Sequence, residues 1–299
     1  MIRTAKEVLV KMKMTRGEKA FGILNFFLLT IVGLACLLPF LHIIAKSFSG
    51  EIFVLAKEVM FIPKGFTLNS YNFVINNGQF QNSFLLTAFI TVVGTALALF
   101  NTTTTAYVFT RKDVPGVKFI SALYIITMFF GGGIVATYLL YKQMHLIDNI
   151  IVLILPASIS TYNIILMRNF FEDIPPSMEE SARIDGASNI RILFQIILPL
   201  SKPALATIGL FFAVTYWNSF FGAVMYTTKR ELMTMQLYLR NILTSIDNLM
   251  EQNPEMLDAV ATESVRAATI IAALLPILCV YPFLQKYFVK GIMIGAIKE

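Results

Sequence analysis

Charge is what this sequence lacks. Of its 299 residues only 14% are Asp, Glu, Lys or Arg, about half of the roughly 25% that a soluble globular domain carries. The chain is 57% hydrophobic, with a mean hydropathy of +0.71, so polar side chains are too few to cover a water-facing surface. An ordinary cytosolic enzyme and a disordered tail are both excluded. Cysteine is scarce as well. Cys36 and Cys279 each sit inside an apolar block, where a lone thiol behaves as a small hydrophobe. Two cysteines cannot build a disulfide framework, which excludes a small secreted scaffold. The two histidines, His42 and His145, are far apart, and no His/Cys cluster has metal-ligand spacing. No phosphate-cradling G-x-x-x-x-G-K-[ST] loop occurs, so the chain carries no nucleotide site of that kind. A G-x-S-x-G nucleophile elbow is missing too. The net charge of +6 comes without the basic stripe and interleaved aromatics that nucleic acid requires.

What the chain has instead is long apolar runs. A helix needs about 20 apolar residues to cross roughly 30 Å of hydrocarbon. Six stretches meet that length: 20–46, 83–109, 118–140, 149–171, 201–225 and 267–288. The fold class that follows is an all-α integral membrane protein with six transmembrane helices. The first stretch is too long for a signal-peptide core and no small-residue cleavage site follows it, so it belongs to the mature protein. Lysine and arginine set the orientation. Placing the N-terminus in the cytoplasm puts sixteen of the 24 basic residues inside, Arg111, Lys112 and Lys118 among them. Both termini then face the cytoplasm. Ionisable residues are nearly absent between the span ends, which disfavours a carrier driven by an ion gradient. The energy for transport must enter from outside this polypeptide.

The domains divide accordingly. Residues 1–19 form a cytoplasmic amphipathic segment, 20–288 the six-span domain, and 289–299 a cytoplasmic tail. In the first, Ile2, Ala5, Val8, Leu9 and Met12 make an apolar stripe beside Arg3, Lys6, Lys11 and Lys13, as in a helix lying on the inner membrane surface. Pro156 and Pro276 each remove one helical hydrogen bond inside a span, and Gly131-Gly132-Gly133 permits a local break.

The loop at 172–200 is cytoplasmic by the charge count and unusually long. Over 171–203 the chain reads FEDIPPSMEESARIDGASNIRILFQIILPLSKP. Pro175-Pro176 ends any preceding helix. Ser177 and Glu180 have the S-x-x-E spacing of a capping box that starts a new one. Gly186 bends it, Ser188 offers a second cap, and Ile190, Ile192, Leu193, Ile196 and Ile197 give an amphipathic second piece. Pro199 and Pro203 stop that piece where the fifth stretch begins.

Residues 180–199 resemble the EAA loop of permease subunits in binding-protein-dependent ABC importers. That pattern is Glu-Ala-Ala, three residues, Gly, nine residues, then Ile-x-Leu-Pro. Here it is Glu180-Ser181-Ala182, Gly186 and Ile196-Ile197-Leu198-Pro199, with Ser181 as the one departure. Asp185-Gly186-Ala187 resembles the carbohydrate-uptake branch. So do LLPFLHIIAKSFS (37–49), GFTLNSYNFVI (65–75), WNSFFGAV (217–224) and QKYFVKGIMIGAIKE (285–299). The resemblance, to maltose-type six-span permeases above all, implies that the loop's two short helices couple to a groove on a cytoplasmic ATPase. It assigns Glu180 a basic partner there and Gly186 the bend. Glu179, Ser181, Ala182, Asp185, Ala187, Leu198 and Pro199 complete the implied coupling surface. Also implied are a second permease subunit forming a heterodimer, two ATPase subunits holding ATP and Mg, an extracellular solute-binding protein and an oligosaccharide substrate. The chain itself would bind no cofactor or metal and catalyse nothing, and would reside in the bacterial cytoplasmic membrane. The rival reading is an ATP-independent sugar channel.

Polar residues inside the apolar stretches admit two readings. Asn101, Tyr162, Asn163, Tyr216, Trp217 and Asn218 supply the amides, hydroxyls and aromatic faces a saccharide pathway needs. Ser, Thr and Asn also join membrane helices by hydrogen bonds, and Trp and Tyr gather at interfaces. Trp217 is thus either a stacking platform or an anchor. The 226–266 segment is either a docking loop for the binding protein or a solvated connector.

Overall fold

The computed structural model describes the backbone over 15–252 and 263–296, and side chains over 15–244 and 263–279 except Arg16. The amphipathic stripe between residues 2 and 12, and Glu255 and Asp258 of the 226–266 segment, lie outside the described residues. Every regular element among those described is helical.

Helix α1 (Arg16–Ser47) starts on a reciprocal capping box. Glu18 N–H donates to Thr15 Oγ1 at 3.2 Å, and Thr15 N–H to the Glu18 carboxylate at 2.6 Å. Its apolar side chains from Phe21 to Leu41 are exposed, and among the described residues only the last helix, α15 (Glu263–Ala296), packs extensively along it. Short helices α2 (Glu51–Leu55) and α3 (Asn69–Ile75) lead to α4 (Gly78–Thr110). Asn77 caps α4 by accepting from the Gln79 and Phe80 amides, both at 3.0 Å.

The third apolar stretch is not one continuous helix. Helices α5 (Val117–Phe129) and α6 (Gly133–Gln143) meet at 118°, and Gly133 has φ +77°, a conformation only glycine takes readily. Thirteen residues of α5 reach about 20 Å at ~1.5 Å each, short of the hydrocarbon thickness. The fourth stretch is broken as Pro156 suggests: α7 (Ile151–Ile154) and a 3₁₀ turn (Pro156–Ser158) meet α8 (Thr161–Glu172) at 45°. The 172–200 loop forms α9 (Pro176–Ile184), α10 (Asn189–Ile192), a π turn (Leu193–Ile197) and α11 (Leu198–Leu200). An 86° bend separates these from α12 (Lys202–Trp217). The fifth stretch then breaks again before α13 (Phe221–Tyr226). Helix α14 (Met235–Gln252) occupies much of the 226–266 segment, and α15 (Glu263–Ala296) runs through Pro276 without interruption. By length and composition α1 and α4 can each cross a membrane, and the three bent pairs raise that to at most five among the described residues.

Helix α4 is the axis: α12, α8 and α14 all pack on it. The closest approach is at Gly94, where an added Cβ would lie 2.5 Å from the Tyr216 ring on α12. Tyr216 Oη in turn donates to the Ile154 carbonyl at 2.7 Å. That carbonyl is left over because the Ser158 N–H, its partner in a regular α-helix, turns to Leu155 O at 3.1 Å. Asn101 Nδ2 on α4 donates to Ser158 Oγ at 3.2 Å. The break at Pro156 is therefore tied to both neighbouring helices.

At the end that the charge count places outside, Asp148 (φ +56°) ties the α6–α7 turn to the chain after α13. Its carboxylate accepts from the Thr228 amide and hydroxyl and from the Lys229 amide. The Thr228 amide, then its hydroxyl, hold the Asp148 carboxyl below its ordinary range.

Removing the Tyr216 hydroxyl while keeping the ring leaves the Ile154 carbonyl orphaned in a dry site, at a cost of about 1–3 kcal/mol. Crowding Gly94 with a methyl costs about the same through overpacking. Tyr216→Phe and Gly94→Ala should each lower stability in detergent unfolding by those amounts. Wild-type stability in both would refute the packing described.

Candidate functional site

The 172–200 loop folds into two arms joined by a tight turn. The first arm starts two residues earlier than a cap at Ser177 would place it. Pro176 occupies the first helical position and Pro175 stands at the cap without a side-chain hydrogen bond. Proline is preorganised there and has no N–H to satisfy, so the Ser177–Glu180 capping box does not form. Ser177 instead lies within the first turn, its carbonyl accepting from Ser181 Oγ at 2.9 Å, and Glu180 is left exposed.

The arm ends in a Schellman turn. Ala187 N–H donates to Ala182 C=O at 2.9 Å, Gly186 N–H donates to Arg183 C=O at 3.0 Å, and Gly186 has φ +78°. This is the 6→1 and 5→2 pair that closes a helix through a left-handed residue. The spacing Ala182, Gly186, Ala187 thus has a structural meaning: a buried residue facing the turn, the left-handed residue, and a small half-buried one. A Cβ on Gly186 would touch nothing within 4 Å, so backbone conformation alone demands glycine.

The second arm begins at Ser188, whose Oγ accepts from the Arg191 amide at 3.3 Å. Ile192, Leu193 and Ile197 are buried in the main core with Phe109, Val117 and Phe171. Pro199 does not stop this arm. In a regular α-helix its ring would clash with the carbonyl four residues back, that of Gln195, and the π turn at Leu193–Ile197 lies where that clash falls. Helix continues to Leu200, the bend comes at Ser201, and Pro203 sits in the first turn of α12.

The arms differ in what they display. Ser181, Asp185, Gly186 and Pro199 are exposed, and Leu198 is half-buried. Met178, Ile184 and Ile190 are apolar and exposed, Ile184 at 87%. Glu179 turns the other way and pairs with Arg111 at the end of α4, a residue that charge counting treats only as a marker of topology.

The residues expected to line a pathway do not share one environment. Tyr216 (1% exposed) is committed to Gly94 and Ile154, and Asn163 is also buried. Trp217 is neither an exposed platform nor an exposed anchor. It ends α12, is buried, and stands edge-on to Phe84 of α4 at 5.8 Å. Asn101 is half-buried in its bond to Ser158. Tyr162 and Asn218 are exposed, with Asn218 Oδ1 accepting from Gln236 at 3.2 Å. Burial on neighbouring helices, invisible to the order of residues, separates these.

Residues 20–294 match the model of a family described as the binding-protein-dependent transport system inner membrane component. The chain belongs to that family. It is 39% identical over 283 residues to the polygalacturonan/rhamnogalacturonan transport system permease protein YtcP of Bacillus subtilis (strain 168), covering 94% of this chain and 99% of that one. Protein LplC of the same organism is 42% identical, covering 95% and 97%. A crystal structure of a bacterial ABC transporter involved in the import of the acidic polysaccharide alginate contains a chain that superposes with a TM-score of 0.86 at 33% identity, covering 92% of this chain and 99% of that one. This chain is accordingly a membrane-embedded permease subunit of an ABC importer.

For a permease of this family the turn at Gly186 is the most exacting position of the loop. A β-branched side chain there costs about 1–2 kcal/mol in the left-handed region, which asparagine tolerates. Gly186→Val should speed proteolytic cleavage between the two arms, and Gly186→Asn should leave it near the wild-type rate. Equal cleavage of both variants would contradict the turn.

Proposed function

We propose that this chain is one of two permease subunits of a bacterial importer that moves oligosaccharides by alternating access, driven by ATP hydrolysed on separate ATPase subunits. It crosses the cytoplasmic membrane six times with both termini inside, as the distribution of basic residues favours. Residues 20–288 are its membrane domain, flanked by cytoplasmic segments 1–19 and 289–299. ATP and Mg belong to the ATPase; this chain holds no cofactor.

The observation that carries this reading is the first arm of the loop. A rigid Gly186 turn holds an arm whose exposed face has Met178, Glu180 and Ile184, with Ile190 beyond the turn. Exposed apolar side chains beside a carboxylate suit a groove that is apolar with a basic rim. Glu180, Ser181 and Asp185 contact that partner, while Ala182, Gly186 and Ala187 shape the turn. Leu198 and Pro199 carry displacement of the loop into α12. Tyr162 and Asn218 are the pathway candidates that remain exposed. A solute-binding protein delivers the saccharide from outside. Acidic fragments are favoured over neutral ones, because one relative is named for polygalacturonan/rhamnogalacturonan transport and a structural neighbour belongs to an importer of the acidic polysaccharide alginate.

The test is reconstitution of the chain with its second permease, ATPase and binding protein in vesicles. Uptake of acidic oligosaccharides should require ATP and exceed that of neutral ones, and Glu180→Lys should reduce co-purification of the ATPase. Uptake at full rate without ATP would overturn the reading in favour of a facilitator.

A further inference from the structure

Arg111 stands just past the last residue of α4. Its Nη1 forms an ion pair with Glu179 Oε2 of α9, with side chains only 15% and 20% exposed. The guanidinium also lies over the Tyr107 ring of α4, 4.2 Å from its centroid. Exposed ion pairs contribute little, because two long side chains must be ordered in water. This one differs on both counts. The pair is mostly out of solvent, and the ring face orders the planar guanidinium, a cation–π arrangement that suits arginine better than lysine. The position suits a cation as well, since the carbonyl end of a 33-residue helix carries negative partial charge.

Consecutive residues of a helix point about 100° apart, so the neighbouring glutamates of α9 divide: Glu180 is exposed and Glu179 is turned to α4. The loop thus has two routes into the membrane domain. One is the covalent route through α10, the π turn and α11 to α12. The other runs from Glu179 to Arg111 and directly into the axis on which α8 and α12 pack. We propose that Arg111 is a positioning residue for energy coupling, clamping α9 to α4 so that movement of the docked arm is delivered to the central helix. This rests on the coupling reading above, and assigns Glu179 to the permease's own transmission and not to the ATPase contact.

The experiment uses the complete reconstituted complex with its binding protein and saccharide, reading ATPase co-purification and saccharide imported per ATP hydrolysed. Arg111→Gln should retain the ATPase at wild-type stoichiometry and still hydrolyse ATP, but import per ATP should fall by about fivefold or more. Arg111→Lys, which keeps the charge and loses the planar fork, should fall between the two. Adding Glu179→Gln to Arg111→Gln should cause no further loss, since both remove one link. A wild-type import ratio in Arg111→Gln, multiplying losses in the double variant, or loss of the ATPase from Arg111→Gln would each overturn the proposal. If the wild-type chain itself fails to retain an ATPase, the failure lies with the coupling reading instead.

Discussion

A backbone carbonyl that loses its helical partner inside hydrocarbon has no water to turn to, and the architecture of this permease is built around one such carbonyl. Pro156 breaks the fourth apolar stretch, and the 3₁₀ turn that follows diverts the Ser158 N–H from Ile154. The Tyr216 hydroxyl takes its place. To reach that carbonyl, the tyrosine ring must pass close to α4, and Gly94 makes room. Asn101 secures the same turn through Ser158. A proline, a glycine, a tyrosine and an asparagine on three stretches of the chain thus form one junction. The packing of α8 and α12 on α4 follows from it.

In the proposed coupling role, the loop turns that rigidity into a surface for a partner. Its second arm is bound into the core by Ile192, Leu193 and Ile197, and its first arm leaves Glu180 and Ile184 outside. Two backbone devices keep the arms in register: a left-handed glycine at the turn and a π turn that accommodates Pro199. The first allows a sharp change of direction without strain. The second lets helix continue through a proline as far as the Ser201 bend. An arm of this kind is stiff where it is anchored and apolar where it is free.

Much of this is written in local sequence. Apolar length marks α1 and α4, and Gly186 and Ser188 mark the turn and the second cap, because a left-handed residue and an N-cap are decided by the residue itself and its near neighbours. Competition between two local signals is harder to read. Ser177 and Glu180 spell a capping box, yet Pro176 claims the helix start first. Gly131-Gly132-Gly133 permits a break, but the 118° angle at that point depends on what α5 and α6 pack against. Long-range partners leave no local trace at all. Tyr216 and Trp217 have the residue types of a saccharide platform, and the fold buries both side chains against α4. Arg111 and Glu179, sixty-eight positions apart, look like two unrelated surface charges until the fold brings them together.

The central claim is that the free arm is a docking surface and the anchored arm is part of the membrane domain. Thiol labelling distinguishes them in a chain with Cys36 and Cys279 replaced by serine, carrying either Ile184→Cys or Ile192→Cys. The first position is 87% exposed and the second fully buried. The account predicts that the thiol at 184 labels readily in the isolated permease and is protected once the ATPase subunits are bound, while the thiol at 192 stays unlabelled in both. Equal labelling at 184 with and without the ATPase would contradict it.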